Sequence, residues 1–166
     1  MTNKELVNKV KDWAMVRGLD KSDPRAQHMK IVEELKELIE NVLREDKDEV
    51  IDAIGDMQVA LIVYCLIRDI EYPETRYQYF SDLNFFDFNG ALLDLTADLG
   101  WIAESYNKQS CFVEKAAIHS ALDKLDAISE AFGVRKEFCL EEAYKVIANR
   151  RGKMINDIFV KEEDLK

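Results

Sequence analysis

Histidine is scarce in this chain, and its placement excludes two classes of metalloenzyme. The 166 residues include only two, His28 and His119. A di-iron carboxylate bundle needs Glu three residues before a His, but those positions hold Arg25 and Ala116. A His-Asp phosphohydrolase needs the two residues side by side, and no such pair occurs in the sequence. A metal site in this protein is therefore expected to use other ligands.

Cysteine and long apolar runs are also in short supply. The three cysteines, Cys65, Cys111 and Cys139, are far apart, which predicts reduced thiols in or near the core rather than disulfides or a metal site. The longest apolar run, residues 57–67, is interrupted by Gln58 and is too short to span a membrane. No secretory signal opens the sequence. We therefore expect a cytoplasmic protein without a membrane partner.

Positive charge is the third shortage. The chain has 23 Lys and Arg against 33 Asp and Glu, which gives a formal net charge of −10. Such a chain repels a nucleic-acid backbone, so nucleic acid is excluded as the main partner unless a local basic or metal site binds it. Apolar residues form 48% of the sequence, which is typical of a globular fold. The length fits one domain over residues 1–166.

The apolar residues that are present recur at helical spacing. Two helices separated by a short charged joint, residues 44–48, form a predicted antiparallel hairpin over residues 24–70. Asp23 and Pro24 are a strong start signal for the first of them. The other predicted helices cover residues 2–17, 89–106, 111–132 and 138–153, the last with its regular part over 140–151. The sequence thus predicts an all-α helical bundle.

Acidic residues crowd both helices of the predicted hairpin. At about 100° per residue, the three on the second helix fall within roughly 60° of one another. Further along, the same face becomes apolar, so it is not an ordinary solvated face. Acidic pairs from the two helices can then face each other. The six residues are Glu33, Glu34, Glu37, Glu49, Asp52 and Asp56.

Carboxylates gathered in this way need a compensating charge. Each pair repels by roughly 3 kcal/mol at about 5 Å and an effective dielectric near 20. Protonation would relieve this repulsion, but an all-oxygen set with room for water suits a hard divalent cation such as Mg²⁺. Two simpler interpretations stand beside it, since Glu is common on exposed helices and Asp46 with Glu49 forms a capping-box pattern. The joint pattern favours the metal site.

The two acidic motifs resemble those of a known enzyme family. Residues 33–37, EELKE, and residues 49–52, EVID, are similar to the EExxE and ExxD motifs of the MazG-like all-α nucleoside triphosphate pyrophosphohydrolases, relatives of the dimeric all-α dUTPases. The resemblance makes Glu33 and Asp56 either residues that support the metal ligands from behind or helpers that orient an attacking water. It implies four ligands for Mg²⁺, or for Mn²⁺ in its place: Glu34, Glu37, Glu49 and Asp52.

The reaction that the resemblance implies is hydrolysis of a nucleoside triphosphate, expected to be a deoxynucleotide, to the monophosphate and pyrophosphate. The metal would neutralise the phosphates and lower the pKa of the water that attacks the α-phosphorus. The alternative from another class is a non-catalytic acidic helical binding protein that mimics the charge of a nucleic acid. It predicts tight partner binding without any dependence on Mg²⁺.

A basic cluster near the C-terminus is the candidate phosphate clamp. Lys145, Asn149 and Lys153 recur every four residues of the predicted last helix. Arg150 adds a further charge. Favourable charge at a helix C-terminus capped by Gly152 is the alternative interpretation. The stretch AYKVIANRRGKM is similar to the AYxxIxxRxGKM of phage-type family members, and this resemblance implies contacts with the β and γ phosphates.

Three residues nearer the N-terminus complete the predicted substrate site. The segment WAMVRGL, residues 13–19, followed by Gln27 and Lys30, resembles phage-type members of the same family. The resemblance implies that Trp13, Gln27 and Lys30 contact the nucleotide. Trp13 also shares a helical face with Leu6 and Val10, so a core position is the alternative for its ring.

The middle of the chain, residues 74–133, is either a plain helical insertion or a degenerate repeat of the acidic hairpin. Asp94, Asp98 and Glu114 are the acidic residues of that repeat. Such a repeat would complete a four-helix bundle within one chain. In a homodimer, the second subunit would complete the bundle instead. The tail, residues 159–165, is a lid or an ordered end. A platform for base stacking, or packing across the bundle, is predicted for a set of aromatics: Tyr77, Tyr79, Phe80, Phe85, Phe86 and Phe88.

Overall fold

The structure, a computed structural model, describes residues 1–74, 86–150, 152–155 and 158–162. In the last two of these ranges, side chains are described at positions 152, 155, 160 and 162. Part of the predicted stacking platform lies outside the described residues, as does the end of the predicted lid. The platform residues concerned are Tyr77, Tyr79, Phe80 and Phe85.

The described chain is all-α, as predicted, with a short β-hairpin after the last helix. The two strands pair antiparallel, with Gly152 opposite Lys161 and Ile155 opposite Ile158. A 3₁₀ turn at Leu19–Lys21 joins the first two helices. The elements are α1 (Asn3–Val16), α2 (Pro24–Leu43), α3 (Lys47–Ile67), α4 (Phe88–Asn107), α5 (Cys111–Ala131), α6 (Lys136–Ala148), β1 (Gly152–Ile155) and β2 (Ile158–Lys161).

Local capping signals set the starts of the first three helices. Thr2 and Glu5 form both bonds of a capping box, which starts the helix predicted over residues 2–17. The Asp23 side chain accepts from a backbone N–H of the first turn of α2, and Pro24 occupies its first position. The Asp46 side chain accepts from the backbone N–H three residues on, at 3.4 Å, and so caps α3. These predictions are confirmed.

Helix α3 is the centre of the fold. It contacts α1, α2, α5 and α6, and most of its side chains are buried on every side, as its apolar composition predicts. Of the helices in the described residues, α3 is the one whose length and composition would allow it to cross a membrane. Of that apolar stretch, 72% is buried inside the fold.

A glycine permits the close packing of α6 on α3. A Cβ atom placed on Gly55 would lie 2.4 Å from the Cys139 carbonyl oxygen and 2.7 Å from the Ala143 Cβ. Both distances are below van der Waals contact, so a larger residue would push the helices apart. The absence of a side chain at position 55 therefore fixes the spacing of α3 and α6 next to the acidic part of the hairpin.

A buried ion pair joins α5 to α3. Glu114 is fully buried and accepts a hydrogen bond from the Tyr64 hydroxyl at 2.6 Å. The Arg68 guanidinium donates to both Glu114 carboxylate oxygens at 3.0 Å and lies 4.9 Å from the centre of the Tyr106 ring. Such a two-pronged pair fixes orientation as well as distance. Glu114 is thus matched by its partners and serves to hold the two hairpins together.

The last helix ends earlier than predicted. Helix α6 stops at Ala148, and Gly152 begins β1, so the predicted helix over residues 138–153 is wrong at its C-terminal end. Lys145, Asn149 and Lys153 therefore do not share one helical face. The physical reason is that side chains from α1 and from the residue that follows it take the carbonyl groups near the end of α6, and a glycine with low helix propensity follows.

The cysteines are free thiols, and two of them are in the core. Burial raises the pKa of the Cys65 and Cys139 thiols to about 12, so both are inert. Cys111 is exposed in the first turn of α5, beside the exposed Phe112. The prediction of a core or near-core position is wrong for Cys111, because the buried position of this turn is taken by Glu114 and the thiol lies on the exposed side.

Candidate metal and phosphate site

Two hydrogen bonds set the register of the α2–α3 hairpin. Near one end, the Gln27 side-chain amide donates to the Ala60 carbonyl at 2.9 Å. Near the other, the Asn41 amide donates to the Glu49 carbonyl at 3.4 Å. Because the helices are antiparallel, the turns of α2 between these bonds lie beside the turns of α3 that carry the acidic residues. Gln27, predicted to bind substrate, uses its amide to bind the two helices together.

The register brings three carboxylates into one electrostatic site. Glu34 is only 5% exposed, and Asp56 is partly buried opposite it on α3. Burial raises the pKa of the Asp56 carboxyl to about 6, and the negative charges of Glu34 and Asp52 contribute to the rise. We refer to Glu34, Asp52 and Asp56 as the acidic group.

Lys30 lies against the acidic group on α2. Its ammonium is 2.8 Å from a Glu34 carboxylate oxygen and 3.1 Å from a Glu33 oxygen. Burial by itself lowers the pKa of Lys30, but hydrogen bonds and charge contacts with the two glutamates raise it overall. Lys30, predicted to bind substrate, thus neutralises the most buried carboxylate of the group while its own side chain stays half exposed.

Arg150 supplies a second cation to the acidic group. It follows the end of α6, and its positive charge opposes the rise in the pKa of Asp56, as that of Lys30 does. Arg150 is therefore near the acidic group, and its contact with a phosphate stays a prediction. The acidic group has one cation from α2 and another from the segment that links α6 to β1.

Two of the other predicted phosphate residues, Lys145 and Asn149, have their partners on α6 itself. Lys145 is exposed, and its ammonium pairs with Glu142 at 2.6 Å and with Glu141 at 3.9 Å. The Asn149 side-chain amide donates to the Lys145 carbonyl at 3.3 Å and so caps the end of α6. The side chain of Lys153 lies outside the described residues.

The full set of four predicted metal ligands is not assembled. Glu37 and Glu49 are exposed, as is Asp52. In the part of the chain that the structure describes, no three His, Cys, Asp or Glu side chains are close enough together to hold a metal ion. The donor chemistry of the acidic group nevertheless fits Mg²⁺, because its ligands are carboxylate oxygens whose crowding a divalent cation would relieve. Changes of side-chain rotamer would be needed to complete the set.

Trp13 of α1 and Arg17, the residue that follows this helix, contact the end of α6. The Trp13 indole N–H donates to the Ile147 carbonyl at 2.8 Å, and the ring packs against the core. Arg17 lies over this ring and donates to the Arg150 carbonyl at 2.6 Å. The prediction of substrate residues omitted Arg17. Its signal in the sequence is the spacing of four after Trp13, which allows the guanidinium to stack on the ring.

The described aromatics of the predicted platform pack within the bundle. The Phe86 and Phe88 rings are 4.8 Å apart in an edge-to-face contact, and Phe88 lies 5.3 Å from Phe132 at the end of α5. Both rings are partly buried against the core. For these two residues the contacts favour packing across the bundle over stacking on a base.

Comparison of the chain with protein-family models, with curated proteins and with solved structures gives no match in any of the three. The resemblance carried by EELKE and EVID therefore stays a prediction from those motifs.

Proposed function

We propose that this chain hydrolyses a nucleoside triphosphate to the monophosphate and pyrophosphate in a Mg²⁺-dependent reaction. The observation that carries the proposal is the acidic group of Glu34, Asp52 and Asp56 with a cation on either side of it, Lys30 and Arg150. Phosphoryl transfer needs positioning and charge neutralisation above all. Carboxylates that attract a metal beside fixed cations that attract phosphates supply both.

We assign one task to Glu34 and Asp52 of the acidic group and another to Asp56. We assign Glu34 and Asp52 to the metal, joined by Glu37 and Glu49 from the exposed edge of the hairpin. When bound, Mg²⁺ would neutralise the phosphates and lower the pKa of the attacking water. Asp56 has a pKa of about 6, which suits a general base that takes a proton from water near neutral pH.

The two cations are assigned to the phosphates. The planar guanidinium of Arg150 can donate two parallel hydrogen bonds to a phosphate. Lys30 balances Glu34 in the free protein, so a metal that binds Glu34 would release the Lys30 ammonium toward the same phosphates. Both groups then stabilise the negative charge that develops on the leaving pyrophosphate.

A non-catalytic binding protein is the second candidate. It is favoured by the exposed positions of Glu37 and Glu49 and by the lack of an assembled three-ligand cluster in the described residues. An acidic surface of this kind could bind a basic partner without any metal. This alternative predicts no turnover of any nucleotide.

Chromatographic product analysis separates the two candidates. The purified protein is incubated with Mg²⁺ and a panel of ribo- and deoxynucleoside triphosphates. We expect monophosphate and pyrophosphate from a subset, and none from the Asp52→Asn variant. Asp94→Asn is the matched control, because Asp94 is likewise an exposed aspartate but lies on α4. No turnover by the unmodified protein with Mg²⁺ or Mn²⁺ would favour the binding protein.

A further inference from the structure

The C-terminal end of α6 is held by a side chain of α1 and by that of the residue that follows α1. The Trp13 indole donates to the Ile147 carbonyl at 2.8 Å, and the Arg17 guanidinium donates to the Arg150 carbonyl at 2.6 Å. The last carbonyl groups of a helix have no partner within the helix, so donors from another element stabilise its end. A cation at this end is also favoured by the helix dipole.

Within the described residues, three contacts help to fix Arg17 in place. Its guanidinium carbon lies 4.8 Å from the centre of the Trp13 ring. One terminal nitrogen donates to the Trp13 carbonyl at 3.2 Å, and the other donates to the Arg150 carbonyl. The Trp13 ring, the Trp13 carbonyl and the Arg150 carbonyl together set the orientation of the planar Arg17 guanidinium, whose donors form a fork. A lysine ammonium could replace the charge but not this geometry.

The backbone that Arg17 holds is that of Arg150. The Arg150 N–H donates to the Ile147 carbonyl at 3.0 Å, and its carbonyl accepts from Arg17. Both peptide groups of this residue are therefore tied down immediately after the helix ends. The side chain that leaves this fixed backbone carries the charge that acts on Asp56. Arg17 thus connects α1 to the acidic group through a single intermediate residue.

We propose that Arg17 is a positioning residue, which holds the Arg150 backbone so that the Arg150 side chain can bind the substrate phosphates beside the acidic group. This inference rests on the proposed function, because it needs Arg150 to contact phosphate. Arg17 has no role in the reaction other than through Arg150. Loss of Arg17 should therefore matter only while Arg150 is present.

A double-mutant cycle tests this dependence. Arg17→Met, Arg150→Gln and the double variant are compared for KM and kcat on the preferred triphosphate and for the Kd of inorganic pyrophosphate with Mg²⁺. We expect Arg150→Gln to raise KM and Kd by roughly 10-fold to 100-fold, the range for a lost charge-assisted contact. Arg17→Met should raise both by about 10-fold and change kcat in the same direction as Arg150→Gln does, because Arg150 also stabilises the charge that develops on the leaving pyrophosphate.

The double variant decides the outcome. If Arg17 acts through Arg150, the double variant is no worse than Arg150→Gln alone, because the two effects share one contact. Effects that multiply in the double variant would overturn the proposal and leave Arg17 as a structural cap. An unchanged KM and Kd in Arg17→Met would overturn it as well. If Arg17→Met does not fold, the cycle is run with Arg17→Lys, which keeps the charge but not the fork.

Two further comparisons make the result specific. Lys9→Met removes an α1 cation that contacts α6, at 5.9 Å from the Tyr144 ring, and should leave KM and Kd unchanged. An equal rise in Lys9→Met would mean that any loosening of α1 is sufficient, which contradicts the proposal. Absence of turnover in the unmodified protein would refute the proposed function, whereas the cycle on pyrophosphate affinity would still decide the role of Arg17.

Discussion

The two helical hairpins bury acidic side chains in opposite ways. In α4–α5, Glu114 is fully buried and every partner around it is a donor or a cation, namely Tyr64 and Arg68. In α2–α3, Asp56 is partly buried beside the like charges of Glu34 and Asp52, and its pKa is raised to about 6. The charge of Glu114 is thus matched by a donor and a cation, whereas the charge of Asp56 is crowded by like charges.

The difference indicates what each buried charge is for. Removing one partner of a matched buried pair costs stability because the other partner is left alone, so Glu114 belongs to the architecture. A crowded carboxylate costs stability while it is present, and such groups concentrate at functional sites. Asp98 on α4 is intermediate, because burial raises its pKa while a hydrogen bond from Ser120 lowers it. The contrast supports the proposal that α2–α3 is the functional hairpin and α4–α5 its support.

The largest effect is expected from loss of the matched carboxylate. Glu114→Ala leaves Arg68 without its partner in a largely buried position, so the free energy of unfolding should fall by about 3 kcal/mol. Urea denaturation followed by circular dichroism measures this change. The same truncation at the exposed Asp52 should change stability by less than about 0.5 kcal/mol. Equal losses of unfolding free energy at Glu114 and Asp52 would contradict the difference between the two hairpins.

Loss of the predicted ligands should affect turnover instead of stability. We expect Asp52→Ala and Glu49→Ala to lower kcat/KM by at least ~100-fold, the scale for a group that acts in the transition state. Helicity should stay unchanged, because both side chains are exposed. Steady-state kinetics and circular dichroism provide the two readouts. Unchanged activity in both variants would refute the assignment of the site.

A pair of glycines compares the packing of the two hairpins. Gly55→Ala places a methyl group against the backbone of α6, so it should destabilise the fold by about 1–3 kcal/mol. Gly100 on α4 has open space around its Cβ position. Gly100→Ala should therefore stabilise the protein by about 0.5–1 kcal/mol. Thermal unfolding of both variants checks the opposite signs, and a stable Gly55→Ala would contradict the close approach of α3 and α6.

The smallest expected effect is on the pH dependence of stability. The pKa of Asp56 is about 6 in the folded chain against the ordinary 3.8, so the folded state holds the proton more tightly. Its contribution to stability is then present at low pH and is lost as the pH rises from about 4 to about 6.

Asp56→Asn removes this dependence. At pH 7 the variant should be more stable than the unmodified protein by about 1–2 kcal/mol, less than a fully buried group would give because Asp56 is partly exposed. The gain should disappear below pH 4. Denaturant titrations across this range would show it, and a gain that does not vary with pH would mean that Asp56 ionises normally.

Much of the fold could be predicted because local signals decide it. Thr2, Asp23 and Asp46 cap helices whose apolar spacing is regular, and the all-round apolar pattern of α3 predicts its burial. The end of α6 could not be predicted, since it depends on donors from α1 and the residue that follows it, more than 130 residues away in sequence. A local pattern such as AYKVIANRRGKM contains no information about that contact.

The candidate site could be predicted only in part. The spacing of EELKE and EVID brings Glu34 and Asp52 to the same hairpin, and Arg150 was included for its charge. The ion pair of Lys30 with Glu34 and the role of Arg17 depend on which side chains meet after folding. Lys145 was predicted at the clamp from helical spacing, but it pairs with Glu142 on its own helix.

Binding of Mn²⁺ tests the central claim most directly, because it compares the two hairpins without relying on turnover. Electron paramagnetic resonance of Mn²⁺ is titrated with the unmodified protein, with Glu34→Gln and with Asp98→Asn. We predict saturable binding of Mn²⁺ to the unmodified protein and to Asp98→Asn, and binding weaker by at least ~10-fold in Glu34→Gln. No saturable binding to the unmodified protein, or equal binding to Glu34→Gln, would contradict a metal site on α2–α3.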